Sequence, residues 1–203
     1  MTDTIDALTA SAAETASAPA LADPTPLAFG AVGLPFGIIC LSLTGKFTPD
    51  LSTVTLPLAL VYGTIGLFVA GMIAFRSGDV FGAFTYTSFS AFFGSFGMIQ
   101  VFLAWHVTAI KANGLGSASA FFVGGWAIII TYLLALIFQY PPLFRMIFGL
   151  VWLTLILLTI GFAGSATLLT WGAWLGAATA ALCLYASAAV LANTTLGRTV
   201  LPI

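Results

Sequence analysis

The sequence predicts an all-α, polytopic membrane protein with six transmembrane helices. Three observations predict it: 61% of the 203 residues are hydrophobic, only 5% are charged, and the charged residues lie between long apolar runs. An ordinary soluble domain carries roughly 25% charged residues, which it needs to cover its surface. The mean hydropathy of +1.14 therefore indicates a surface that faces lipid.

Six uncharged runs match the thickness of a bilayer. A hydrocarbon core about 30 Å thick is crossed by a helix of about 20 residues. In chain order the runs cover residues 27–43, 54–75, 80–104, 118–138, 146–163 and 168–191. Charged residues mark their boundaries in the same order: Asp23, Lys46, Asp50, Arg76, Asp79, Lys111, Arg145 and Arg198. The runs are too long for strands and do not alternate in polarity, so they favour helices over a barrel.

The loops between the runs predict the topology. An even number of spans places both termini on one side, and basic residues favour the cytoplasmic side. Arg76, Arg145 and Arg198 fall on the side of the termini, and Lys46 and Lys111 fall on the other. We therefore expect cytoplasmic termini in a plasma or inner membrane. Residues 1–22 are rich in Ala, Ser and Thr and predict a disordered tail, which leaves residues 23–203 as a six-helix transmembrane transporter or channel domain.

The rarity of charged and metal-binding residues excludes several functions. Nucleic acid is an improbable partner because phosphate binding needs clustered Lys and Arg. The single histidine, His106, has no ligand partners, and Cys40 and Cys183 lie inside apolar runs. No run contains a carboxylate that could relay protons, as ion-coupled pumps need. We therefore expect no enzymatic activity, no cofactor and no metal, with a small solute and the bilayer as partners.

Pairs of glycines recur at the spacing that lets membrane helices approach closely. Packing between helices is the expected role of three such pairs: Gly33 and Gly37, Gly78 and Gly82, and Gly172 and Gly176.

The third run carries hydroxyl groups on one helical face. Thr85, Ser88 and Ser95 share this face with Phe81 and Phe92. Such a face predicts the lining of a polar pathway. A single hydroxyl can instead bond to a carbonyl of its own helix, so this alternative stays open for each residue.

Two terminal segments and the third run resemble the acetate uptake transporter family, the YaaH-type acetate and succinate permeases. Residues 23–29 resemble that family's Asn-Pro-Ala-Pro-Leu-Gly-Leu signature. Its carboxyl-terminal signature is similar to Gly-Arg-Thr-Val-Leu-Pro at residues 197–202, with Tyr185 and Asn193 before it. The family's Phe-Gly and Thr-Ser-Tyr elements fit Phe81-Gly82 and residues 87–89.

This resemblance implies a homo-hexamer in which each protomer has its own path for acetate, related short-chain monocarboxylates or succinate. It implies a constriction at Phe89, Val32 and Val151. The resemblance further implies a lining by Thr87 and Ser88, to which the hydroxyl face adds Thr85. The expected mouth of the path is formed by four residues: Asp23, Pro24, Pro26 and Leu27. We expect hydroxyl and backbone N–H donors on both sides of Phe89 to bind the carboxylate.

Several positions depart from the family pattern. Asp23 replaces an Asn and places a negative charge at the expected mouth. Leu67, Ala74 and Val190 stand where relatives tend to carry polar or acidic residues. These losses favour passage of a neutral acid or of a different solute. Two alternatives therefore remain: a channel for a small neutral solute such as ammonia or urea, and a structural or signalling membrane protein that conducts nothing.

Overall fold

Six helical segments are long and apolar enough to cross a bilayer. The computed structural model describes residues 21–48, 51–105 and 112–203. The segments are α1 (Thr25–Leu43), α2 (Leu51–Pro57, Leu58–Gly66 and Leu67–Ser77 in succession), α3 (Val80–Ala104), α4 (Ala112–Leu136), α5 (Pro142–Phe162) and α6 (Ala166–Leu196). They confirm the predicted all-α, six-span fold. The expectations for residues 1–20 and for His106 lie outside the described residues.

The second helix has a π-helical middle, which the sequence pattern did not predict. The π segment Leu58–Gly66 follows directly after Pro57, which has no backbone N–H to donate. Within it the Thr64 hydroxyl donates to the carbonyl of Ala59, five residues earlier, at 2.8 Å. Ser90 of α3 donates to the Thr64 carbonyl, also at 2.8 Å. This hydrogen bond fixes α3 against the π segment.

Helix α3 begins at a side-chain cap. The Asp79 carboxylate accepts a hydrogen bond from the Gly82 backbone N–H at 2.9 Å, which satisfies one of the donors left free at a helix start. Gly78 ends α2 with a φ of 78°, a conformation that favours glycine. The expectation that Gly78 and Gly82 pack helices together was wrong for Gly78, because nothing lies within 4 Å of a Cβ placed there.

The other glycine pairs do bring helices together. A Cβ at Gly33 would lie 3.0 Å from the Ala180 carbonyl, and a Cβ at Gly37 would lie 3.1 Å from the Ala180 side chain. Gly172 lies close to Leu157 and Leu158 of α5 in the same way. Helix α6 therefore packs closely against both α1 and α5.

The helices form a ring around a central axis. Their contacts follow the order α4, α5, α6, α1, α2, α3. The ring closes between α3 and α4 through aromatic side chains, since Phe84 lies 5.9 Å from Tyr132 and Phe92 lies 5.5 Å from Trp126, measured between ring centroids.

Both ends of the described bundle lie on one side of it. Ser187, near the end of α6, donates to the Pro26 carbonyl at the start of α1 at 2.6 Å. We call this face the terminal side and the opposite face the far side. The assignment of the terminal side to the cytoplasm stays a prediction from the arginines.

Candidate functional site

Two small cavities lie along the axis of the bundle. The terminal cavity, nearer the termini, has a volume of about 30 Å³ and is bordered by Phe29, Thr85 and Phe148. The far cavity has a volume of about 20 Å³ and is bordered by Ser88 and Trp126. A water molecule needs roughly 10–15 Å³ of such space. Each cavity therefore has space for no more than one or two waters in this conformation.

Three apolar side chains separate the two cavities. Val32 of α1, Phe89 of α3 and Val151 of α5 border both of them. Val32 and Phe89 also pack against both apolar clusters of the core, one built mainly on α1, α2 and α3 and the other mainly on α4, α5 and α6. The three residues thus lie together where the two halves of the bundle meet, and any route between the cavities passes them.

Two hydroxyl-bearing residues of α3 lie on either side of these three side chains. Thr85 borders the terminal cavity and Ser88 borders the far cavity, one helical turn apart. Thr85 is 3% exposed, and its Oγ1 has no hydrogen-bond partner in the described structure. A buried hydroxyl without a partner is costly, so the Thr85 hydroxyl has a hydrogen bond left to make. Although Thr85 and Ser88 border the cavities, no oxygen or nitrogen atom contributes to the cavity surfaces, which are apolar.

Thr87, which was expected to line the path, borders neither of the two cavities. Its hydroxyl donates to the Ala83 carbonyl of its own helix at 2.7 Å. Its methyl lies against α2, because a Cβ placed at Gly71 would be 2.5 Å from the Thr87 Cγ2 atom. Thr87 and Ser88 are adjacent residues, so their side chains point about 100° apart around the helix axis. Ser95, also expected on the hydroxyl face, is exposed on the outer surface.

Aromatic rings close the terminal cavity toward the termini. Phe29 stacks on Phe144 with centroids 4.8 Å apart. Phe81 lies 4.8 Å from Tyr140 and 5.9 Å from Phe148, which borders the cavity itself. The sequence did not single out Tyr140 or Phe144. Their partners lie far away in the chain, on α3 and α1 respectively, so no local sequence pattern indicates these contacts.

The charged groups of the terminal side stand outside these rings. Burial, together with the nearby Asp79 carboxylate, raises the pKa of Tyr140 above its usual range. Tyr140 therefore stays protonated at physiological pH. No charged side chain of the described residues borders either cavity.

The expected mouth residues form the start of α1 and border neither cavity. Asp23 accepts a hydrogen bond from the Thr25 backbone N–H at 2.9 Å. The Pro26 carbonyl is held by Ser187, Pro24 caps α1, and Leu27 is turned toward Gly66 of α2. These side chains lie on the terminal side, before Phe29 in the chain.

The carboxyl-terminal segment folds back along α6. Gly197 has a φ of 62° and ends the helix. The Asn193 side chain then accepts from the backbone N–H of Val200 at 2.7 Å and donates to the Leu201 carbonyl at 2.8 Å. Tyr185 donates to the Pro202 carbonyl at 2.9 Å. These bonds give a structural role to the residues that carry the terminal resemblance.

Comparison with known proteins finds relatives of similar sequence and similar fold. The succinate-acetate/proton symporter SatP of Escherichia coli K12 is 27% identical over 185 residues, which cover 90% of this chain and 95% of that protein. An uncharacterised protein of Methanothermobacter thermautotrophicus is 28% identical over 188 residues, which cover 89% and 90% of the two chains. The solved structure of the bacterial acetate channel SatP is similar with a TM-score of 0.84 at 25% identity, over 91% of this chain and 99% of that one.

These relatives with a stated function are a symporter and a channel, not enzymes. A family model described as the GPR1/FUN34/yaaH family matches residues 6–202, nearly the whole sequence. The chain therefore belongs to the GPR1/FUN34/yaaH family.

Proposed function

We propose that this multi-pass membrane protein transports acetate and related short-chain monocarboxylates through a path inside each protomer. The path runs from the terminal cavity past Val32, Phe89 and Val151 to the far cavity. The observation that carries the proposal is that these three side chains border both cavities. The similarity to a succinate-acetate symporter and to an acetate channel supports acetate as the solute.

The constriction favours solutes with one carboxyl group. Its side chains are hydrocarbon, so the methyl end of acetate packs against them without loss of hydrogen bonds. A dicarboxylate such as succinate must bring a second polar group through the same apolar region, which adds a second desolvation cost. We therefore expect monocarboxylates to pass faster than succinate.

Thr85 and Ser88 supply the hydrogen bonds of the path in this proposal. A hydroxyl both donates and accepts, so it suits a carboxyl group in either protonation state. Asp23, Pro24, Pro26 and Leu27 form the surroundings of the terminal mouth. The ring pairs of Phe29 with Phe144 and Phe81 with Tyr140 must separate for a solute to enter from that side.

Uptake of labelled acetate by liposomes that contain the pure protein tests the proposal. We expect uptake above that of protein-free liposomes at pH 8, where little acetic acid crosses lipid unaided because fewer than about one molecule in 1,000 is protonated. Equal rates with and without protein at both pH 5 and pH 8 would refute acetate transport.

We also propose that the protein assembles as a homo-hexamer, as its family resemblance implies. The outward face of α4 is apolar, since Phe121 is 85% exposed and Ile128 is 69% exposed. Such a face suits contact with lipid and with a second copy alike. Native mass spectrometry from detergent is expected to give six times the chain mass of 21.1 kDa. A spectrum of monomers alone, in a detergent that preserves uptake activity on reconstitution, would refute the hexamer.

A further inference from the structure

A third cavity, much larger than the two on the axis, lies on the terminal side between the start of α3 and the end of α4. Its volume is about 520 Å³, which is room for many waters or for a short-chain acid. We call it the vestibule, and its walls include Phe81, Phe84, Tyr132, Leu133, Gln139 and Tyr140. The spans end at Gln139 and begin after Asp79, so the outer end of the vestibule lies at the membrane surface, within reach of water.

One layer of side chains separates the vestibule from the axial cavities. Phe81 borders the vestibule, and its ring lies 5.9 Å from that of Phe148, which borders the terminal cavity. Tyr140 also borders the vestibule and lies 4.8 Å from Phe81. Leu133 borders both the vestibule and the far cavity. Phe81 is only half-buried, so its ring can turn into the vestibule and away from Phe148.

The start of α1 offers no comparable entrance. The Ser187 hydroxyl holds the Pro26 carbonyl of α1 against α6 at 2.6 Å. The ring of Phe144, which stacks on Phe29, borders neither the axial cavities nor the vestibule. Entry there would require the helix start itself to move, whereas entry from the vestibule requires rings to turn, which is a faster and smaller motion. The same three cavities are not bordered by any of the expected mouth residues: Asp23, Pro24, Pro26 and Leu27.

The polar groups of the vestibule suit brief binding of a carboxyl group. The Gln139 amide and the protonated Tyr140 hydroxyl can both donate to its oxygens. Asp79 borders the same cavity, and its carboxylate accepts a hydrogen bond from the Gly82 N–H. Its negative charge works against tight binding of a carboxylate. Weak binding at the entrance is what conduction requires, because a solute must leave each position as readily as it arrives.

We propose that the solute enters the terminal cavity sideways, from the vestibule between α3 and α4, and that Phe81 together with Tyr140 forms the gate. The ring of Phe81 turns away from Phe148 to admit the solute, while the start of α1 stays closed. The identity of the solute as a short-chain acid rests on the proposed function. The position of the gate does not, so it can be tested separately.

Modification of Cys183 tests the gate without transport. Cys183 borders the terminal cavity and is 1% exposed. We expect N-ethylmaleimide, a small uncharged thiol reagent, to modify Cys183 about tenfold faster in the Phe81→Ala variant than in the wild type, because the ring contacts that close the gate are lost. Mass spectrometry of the cysteine peptides measures both rates.

Two controls accompany the labelling. Cys40 is fully buried and borders neither the axial cavities nor the vestibule, so its rate should not change. Phe138→Ala removes a ring that is 70% exposed beside the same loop, and it should leave the Cys183 rate unchanged. An unchanged Cys183 rate in Phe81→Ala, or an equal gain at Cys40, would overturn the gate.

Blocking the vestibule tests the route of the acid. Gln139→Cys and Asp23→Cys place exposed thiols at the vestibule and at the start of α1, where a bulky methanethiosulfonate reagent can attach. We expect attachment at residue 139 to reduce protein-dependent acetate uptake nearly to the protein-free rate, and attachment at residue 23 to leave it unchanged. Wild-type protein treated in the same way controls for the native cysteines.

A loss of uptake after attachment at residue 23, or no loss after attachment at residue 139, would overturn entry through the vestibule and leave acetate transport standing. Absence of uptake by the untreated wild type would instead refute the proposed function, and the Cys183 rates would still decide whether Phe81 is a gate.

Discussion

Replacement of Phe89 by tryptophan is expected to reduce protein-dependent acetate uptake by about 10- to 100-fold. Phe89 borders both cavities together with Val32 and Val151, and each cavity has space for no more than one or two waters. A larger ring has no free space there, and overpacking typically costs about 1–3 kcal/mol. We expect the free-energy barrier to passage of the solute to rise by about the same amount, which lowers the rate. Labelled acetate uptake into liposomes measures the effect.

The opposite substitution is expected to relax selectivity. Phe89→Ala removes the ring between the two cavities and joins them, so a longer acid such as butyrate should pass at a rate closer to that of acetate. Phe102 on the same helix is 40% exposed and gives the matched controls Phe102→Trp and Phe102→Ala. If the variants at Phe89 take up acetate and butyrate at the same rates as the matching variants at Phe102, Phe89 does not lie on the path.

The fold was predictable because the bilayer imposes a simple rule on the sequence. Charges cannot stay within the hydrocarbon, so the spacing of charged residues set most ends of the six spans to within about three residues. The exceptions are the start of α4 at residue 112, the start of α5 at residue 142 and the end of α6 at residue 196. The π segment of α2 was not predictable. A π-helix differs from an α-helix in which carbonyl accepts the hydrogen bond of each backbone N–H, and the amino-acid composition of the segment does not reveal that difference. Pro57 before it is the only local signal, and a proline also fits an ordinary helix start.

The site was predictable only where the family resemblance set the register. Val32, Phe89 and Val151 came from aligned motifs, and their role as the narrowest point of a path stays a prediction. Of the adjacent hydroxyl residues Thr87 and Ser88, only Ser88 borders a cavity. The sequence could not distinguish them, because the neighbouring helices decide which one faces the axis. In this structure Gly71 of α2 provides the space that the Thr87 methyl occupies.

Substitution of Gly176 by leucine is expected to lower the stability of the bundle by about 3 kcal/mol. A Cβ at Gly176 would collide with the Cys40 sulfur of α1 and would lie 2.9 Å from the Thr154 Cγ2 atom of α5. Cys40 and Thr154 are both fully buried, so neither can turn toward lipid to make room. For a chain of this length the change corresponds to a fall in Tm of about 6–12 °C, measurable by thermal unfolding in detergent.

Gly149→Leu is the matched control for this prediction, because nothing lies within 4 Å of a Cβ at that position in α5.

The Gly176 variant should also lose solute selectivity, since Val151 lies one helical turn before Thr154 and moves away from Phe89 when α5 is displaced. Butyrate uptake measured beside acetate uptake reports that loss in variants that remain folded. Equal Tm values for the two variants would show that close approach of α1, α5 and α6 does not hold the constriction together.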